Sequence, residues 1–566
     1  MLQNAELPPT AADSAPVPVP TRLPAFIGVG EKISASLLFL LLFALRIICV
    51  HHYRFDSDEP QHLHVVWGWA NGMLQYRDIF DNHSPLFQML CAPLFKLFGV
   101  RADVLIPMRH AMLPLFVFDL WCVYKIASTL GSKRMALWTT IAAGFSPIFF
   151  LVSTEFRTDD LWVSLWLLAL MLVTGGEFKG GRAFSVGLVF GAAFAVSMKS
   201  SLLLVSLLLA TGVVYLVARK DGTSLKLSQL TKACALALLG MVIIPGLLVA
   251  YFASQGALHE MYYGVIEHNT VLGGNKLKKL SIKRFLFPIA LIALPFIGSW
   301  IVRLRTDRSA ALRQVLILSA AIFYGAALKS FWPLITDQDY LPRDPLLVLA
   351  LAPGVAWVAR QRLPWSQGVI ALILAAEITL LLKQARPWRN EAIHKIEEIA
   401  EVLRLTNPDD YVMDGKGEFI FRRRPFYYVL EGVTIARMKR GLIVDDIPQQ
   451  LVATKTCVLL MPRMPAEDKK WVQDNYIFDT QKIGVAGKQL GTVKPSMTFS
   501  TEIPANYTII TQKGAPSGTL DGQPLKSSQF LAPGKHELRV TGAQGLVAVV
   551  WSQAVERGYN VHWRFN

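Results

Sequence analysis

Arg54-Phe-Asp-Ser-Asp-Glu-Pro-Gln-His62, continued through Asp81-Asn-His-Ser-Pro-Leu86, forms a polar, acid-bearing loop between two apolar stretches. Asp56, Asp58 and Glu59 stand a few residues beyond Ile47-Ile-Cys-Val50, the end of a run long enough to span a bilayer. Carboxylates so close to a hydrocarbon boundary are costly to desolvate, and those retained there serve chemistry or binding. The rest of the chain reads as scaffold around this loop.

Composition supports a membrane setting. The 566 residues are 53% hydrophobic and only 17% charged, with mean hydropathy +0.38, and the apolar residues come in long runs. That excludes an ordinary soluble protein of this size. The net charge of +16 does not point to nucleic acid, because much of it sits in short loops between apolar runs, where it orients a membrane protein. Cys49, Cys91, Cys122, Cys234 and Cys457 lie mostly inside apolar runs without metal-ligand spacing and read as small core residues.

Residues 1–32, rich in Pro and Ala, are expected to be a disordered cytoplasmic N-terminus. No small-residue cleavage site follows Ile33–Val50, which reads as a retained first helix. Further spans are predicted at 105–130, 135–153, 160–176, 184–199, 201–218, 233–253, 285–303, 314–333, 345–360 and 366–383. The fold class is therefore a polytopic α-helical membrane protein with about eleven transmembrane helices. Alternate loops carry Lys133-Arg134, Lys179 with Arg182, Arg219-Lys220, Arg303 with Arg305 and Arg308, and Arg360 with Arg362, and these are expected to be cytoplasmic. The acid loop, Ser153–Asp160, the turn at Lys199, the 254–284 loop, Phe331–Pro345 and everything after about residue 384 then share the other side. Lys276, Lys278, Lys279, Lys283 and Arg284 break the charge rule on that outer side. They read either as a miscounted helix or as a basic strip for an anionic headgroup or phosphate, the second being preferred.

After Trp388 the pattern changes. Glu391–Leu405 has helical spacing, Tyr411-Val-Met413 and Thr456–Met461 read as strands, and residues 384–494 suggest an extracytoplasmic α/β domain. Residues 495–566 alternate in strand fashion with turns such as Leu520-Asp-Gly522, suggesting a separate β-sandwich-like domain. Gly415-Lys-Gly417 is a lone pair of glycines and carries no nucleotide-binding motif.

Within the acid loop, Pro60 suits the first turn of a helix that Asp58 or Glu59 would cap. Leu63, Trp67, Ala70 and Leu74 share one face, so His62–Leu74 is expected to lie along the membrane surface. Three acids in four positions exceed what a cap needs, which favours function.

Asp58-Glu59, then Gly72-Met-Leu-Gln-Tyr-Arg-Asp-Ile-Phe-Asp-Asn-His-Ser-Pro-Leu86, Leu97-Phe-Gly99 and Arg109 resemble the first outer loop of GT-C glycosyltransferases. The likeness is nearest to the bacterial aminoarabinose transferase and protein O-mannosyltransferase-like branch. Arg157-Thr-Asp159, Gly191 with Lys199, Glu267-His268 and Gln338-Asp-Tyr-Leu-Pro342 extend it over residues 33–383. The chain departs from the family at Asn82, where an acid is common, and at His83-Ser84-Pro85, where a basic residue and two prolines are common.

The resemblance implies transfer of a sugar from a polyprenyl-phosphate donor to a lipid A, other glycolipid or glycan acceptor. The setting is the periplasmic face of a bacterial inner membrane, among membrane lipids and without nucleic acid. A protein acceptor with the same donor is the alternative. A transporter or flippase of lipid-linked sugar is the rival from another class, but neither a repeated half nor a need for the acid cluster supports it. The implied site has Asp58 as base with Glu59 and Asp159 orienting it, and Arg157, Lys199, Lys276 and Arg343 meeting the donor phosphate. His268, with Glu267 or His83, is a candidate set for a divalent metal. Structural alternatives stay open for several of these. Asp159 and Asp160 could cap the helix at Leu161, Lys199 could snorkel, Glu267-His268 could be a solvated pair, and Arg343 could pair with Asp337, Asp339 or Asp344.

Overall fold

The computed structural model describes residues 28–176, 180–218, 227–270, 286–332, 335–360, 368–479 and 482–563. The helical part runs α1 (Val29–His52), α2 (Asp58–Ala70), α3 (Leu86–Phe98), α4 (Leu105–Leu130), α5 (Lys133–Phe145), α6 (Pro147–Val152), α7 (Thr158–Thr174), α8 (Gly180–Val196) and α9 (Ser200–Ala218). It continues through α10 (Leu227–Ser254), α11 (Leu258–Tyr262), α12 (Leu286–Thr306), α13 (Arg308–Phe331), α14 (Asp344–Ala359) and α15 (Gly368–Ala385). Every predicted span coincides with helix, except that 135–153 is cut in two. Ser146 caps α5 and Pro147, which lacks the N–H to continue the ladder, starts α6. Among the described residues, α1, α4, α9, Thr231–Ser254 of α10, α13 and α15 are each long and apolar enough to cross a bilayer alone. The N-terminal prediction falls mostly on residues 1–27, outside the described ones; α1 itself begins at Val29.

Apolar packing builds the bundle. Phe116, Phe149, Phe150, Trp162 and Trp166 are all buried in one core that also takes in Ile399, Ile420 and Phe421 from beyond the bundle. Helices α8 and α10 meet through glycines. A Cβ on Gly187 would lie 1.9 Å from the Ala237 carbonyl, and one on Gly240 would lie 2.3 Å from that of Phe184. Small residues at such a crossing let backbones approach where lipid offers no hydrophobic drive.

The two ends of the bundle differ in charge. At one end Arg134 pairs with Glu31 at 2.7 Å, Arg303 donates to the Leu130 carbonyl and Arg313 to that of Thr129. Two of the basic loops predicted to share a side, those of Lys133-Arg134 and Arg303–Arg313, thus meet at one end. The other end carries the acid loop and is covered by the C-terminal region.

That region opens with α16 (Ile393–Leu405) and includes α17 (Gly432–Met438). Its strands are β1 (Val412–Met413), β2 (Val458–Leu460), β3 (Tyr476–Phe478), β4 (Ile483–Thr492), β5 (Met497–Thr501), β6 (Ala505–Lys513), β7 (Ser517–Leu520), β8 (Gln523–Pro524), β9 (Gln529–Leu531), β10 (Gly534–Thr541) and β11 (Gln544–Trp551). The boundary predicted at 494/495 does not separate two bodies. Among the described residues one sheet runs β1-β2-β4-β11-β6-β9, with β3 also on β4, and a smaller one runs β5-β10-β7-β8. The first half of β4 pairs with β2 and β3 and its second half with β11, so a single strand welds both halves into one apolar core.

The helix predicted to lie along the membrane surface is α2, and it is buried on every side from Glu59 to Gly68. It is clamped between α3 and the C-terminal region, where His64 Nδ1 meets the Ile420 carbonyl at 2.7 Å. Partial burial against lipid is replaced by full burial against protein.

Candidate active site

The acid loop closes on itself around Glu59. This side chain is fully buried and paired with Arg109 of α4, whose Nε lies 2.7 Å from Glu59 Oε2. Arg109 also donates to the Tyr53 and Arg54 carbonyls, and Glu59 accepts from the Asp56 and Phe156 amides. Glu59 is thereby a pin between loop and bundle, turned away from the cavity beside it.

Asp58, the first residue of α2, does not cap it. Its Oδ2 lies 2.6 Å from Arg157 Nη2, and its Oδ1 takes Lys416 Nζ from the C-terminal region. Burial pushes this carboxyl up, but Arg157 and Lys416 together hold it well below the usual carboxylate range. Arg157 is 3% exposed and ringed by four acids: Asp58, Asp56 at 2.8 Å, Glu155 at 3.2 Å and Asp159 at 3.3 Å. Asp159 passes the network to Lys199 at 3.4 Å, and Lys199 reaches Asp339 at 2.6 Å. Neither Asp159 as a helix cap nor Lys199 as a snorkelling chain describes these contacts. The network ties the first loop, the start of α7, the turn after α8 and the 337–340 turn into one layer.

Above this layer lies a cavity of about 460 Å³. Asp56, Asp58, His83, Glu155, Lys199 and Asp339 line it from the bundle, and Lys416, Glu431 and Arg463 from the C-terminal region. Another part of its wall is apolar, with Pro147, Ile148, Leu151, Val152 and Trp332. Burial raises Glu431 above the ordinary carboxylate range, and burial with nearby acids raises Glu155 to about 8. His83 Nδ1 lies 2.8 Å from Asp81, which raises its basicity against the cost of burial.

Other predicted residues lie elsewhere. Arg343 stacks over the Tyr340 ring, 4.5 Å from its centre, rather than on the three aspartates offered as partners or in the cavity. Lys276 and its basic neighbours fall outside the described residues. Glu267 turns to Arg437 at 3.5 Å, and His268 is buried against Tyr428 with Thr434 Oγ1 3.3 Å from its Nε2. Among the described residues no three His, Cys, Asp or Glu side chains are grouped to hold a metal ion.

Lys416, Glu431 and Arg463 were missed in the sequence because they lie more than 300 residues from the acid loop. The one local signal is the pair of glycines flanking Lys416. Gly417 adopts φ +80° and packs so closely on His64 that a Cβ would sit 2.7 Å from that ring.

The bundle and its covering C-terminal region share their fold with solved structures. In particular, the structure resembles ArnT from Cupriavidus metallidurans bound to undecaprenyl phosphate, with TM-score 0.56 and 12% identity over 80% of this chain and 98% of that one. The apo form of the same protein gives TM-score 0.56 and 13% identity over 81% and 98%. Residues 82–248 match the family described as dolichyl-phosphate-mannose-protein mannosyltransferase. No curated protein sequence matches the chain.

Proposed function

We propose that this multi-pass membrane protein transfers a sugar from a polyprenyl-phosphate donor to an acceptor hydroxyl in the cavity around Asp58. The observation that carries the reading is the cavity itself, where carboxylates and buried cations face one another beside an apolar wall at the end of the bundle. The fold shared with a protein crystallised with undecaprenyl phosphate supports the donor class.

The acceptor oxygen attacks the anomeric carbon while its proton passes to the Asp58 carboxylate, and the bond from that carbon to the phosphate oxygen breaks with its electron pair leaving on the phosphate. Lys199 and Arg157 meet the charge that grows there. Asp159 positions both cations, and Glu59 holds the loop that presents Asp58. The preferred acceptor is lipid A, another glycolipid or a glycan on the periplasmic face of a bacterial inner membrane, with the N-terminus cytoplasmic. The mannosyl-protein family matched by residues 82–248 supports a protein acceptor as the second reading.

Vesicles carrying the protein and a labelled polyprenyl-phosphate sugar test this. Asp58→Asn is expected to lower transfer by about 100-fold or more, as loss of a general base does, and Asp159→Asn to lower it through the displaced cations. Full activity in both folded variants refutes the mechanism.

A further inference from the structure

The cations in the cavity and in the charged layer beneath it are not equally committed. Arg157 has four carboxylate partners and Lys199 has two. Arg54 and Arg463 stand at the rim, 48% and 38% exposed, beside Asp56 and Glu418. Lys416 is different. Its side chain is 7% exposed, it reaches into the depth of the cavity, and Asp58 is its one carboxylate contact among the described residues. The backbone beneath it is fixed, since Asp414 accepts from the Gly417 and Phe419 amides and pairs with Arg424 at 3.1 Å. Only the four-carbon stem is left to swing.

Both Asp58 oxygens are occupied by cations, one anchored and one on that stem. A carboxylate held this way is proton-free but a poor proton acceptor, so one cation must leave before it can serve as base. Arg157 cannot leave without stranding Asp56, Glu155 and Asp159.

We propose that Lys416 is a ligand for the donor phosphate, leaving Asp58 for that phosphate when the donor binds and so freeing Asp58 to take the acceptor proton. This rests on the sugar-transfer reading of the cavity. The phosphate gains negative charge as its bond to the sugar breaks, so an ammonium on it is held more tightly in the transition state than in the ground state. The C-terminal region then supplies part of the donor site, and donor arrival is coupled to base release.

The test uses the full-length protein in detergent, titrated with undecaprenyl phosphate and, separately, with inorganic phosphate. Lys416→Gln is expected to weaken undecaprenyl phosphate binding about tenfold or more, and Lys416→Arg to restore much of it. In the transfer assay, the acid limb of the pH–rate profile is expected to move to higher pH in Lys416→Gln, because Asp58 then faces Arg157, His62, His83, Asp56 and Glu431 without its second cation. That shift reports the Asp58–Lys416 ion pair, and the undecaprenyl phosphate titration reports the phosphate contact. Unchanged undecaprenyl phosphate binding in Lys416→Gln, with Asp58→Asn inactive, overturns the assignment of Lys416 alone. Inorganic phosphate binding as tightly as the lipid overturns the donor as its source. Wild-type protein that binds no undecaprenyl phosphate overturns the transfer reading as well.

Discussion

Glu59 and Arg109 show how a single buried pair fixes a reactive loop. Both are fully shielded and fully hydrogen-bonded, and removing one partner leaves the other charge stranded. Glu59→Gln is expected to cost about 3–5 kcal/mol, read as a large drop in thermal midpoint in detergent. His268 makes a pH prediction. Burial, aided by Arg437, pushes its pKa from 6.5 down to about 3, so it stays neutral in the folded protein while the unfolded chain takes up a proton near 6.5. Stability from this group is complete above pH 6.5 and lost progressively as pH falls toward 3. His268→Asn is expected to lessen the drop in thermal midpoint between pH 7.5 and 5. At this scale the sequence reading found Asp58, Arg157, Asp159 and Lys199, because acids and bases at the ends of apolar spans are conspicuous. It missed Lys416 and Glu431, whose sequence surroundings are those of any loop.

Among elements, the α8–α10 crossing leaves no room for a larger side chain. Gly187→Val would drive a side chain into the Ala237 carbonyl, and no rotamer change in a neighbour relieves a backbone clash. Loss of folded, monodisperse protein on size-exclusion chromatography is expected. Gly212→Ala on α9, with nothing within 4 Å, is expected to behave as wild type. Helices of the bundle were readable because apolar length alone declares a span. The cut at Pro147 has a local cause, the missing N–H, which the continuous apolar run masks, whereas the full burial of α2 depends on what packs against it. Strands such as β6 and β10 were legible from alternation, and the turn at Asp521-Gly522, both with positive φ, from its residues. Which strands pair was not legible, because β4 reaches β11 across half a hundred residues of intervening chain.

For the whole molecule, the decisive relation is that of the C-terminal region to the helix end it covers. The contact depends on Gly417 against His64, on Tyr427 donating to the Tyr76 carbonyl and on Asn82 donating to Glu431 at 2.6 Å. Gly417→Ala places a methyl group at a positive φ and against the His64 ring at once. It is expected to loosen this cover, measured as faster limited proteolysis after residue 390 and as reduced transfer with the bundle still folded.

The position of β11 in its sheet has a consequence for biosynthesis. This strand, Gln544–Trp551, lies between β4 and β6, yet it is made after both of them. A sheet missing an inner strand cannot close, so the cover over the Asp58 cavity is completed only after β11 has been made. Completion of the cover is thus a late step in the folding of this chain.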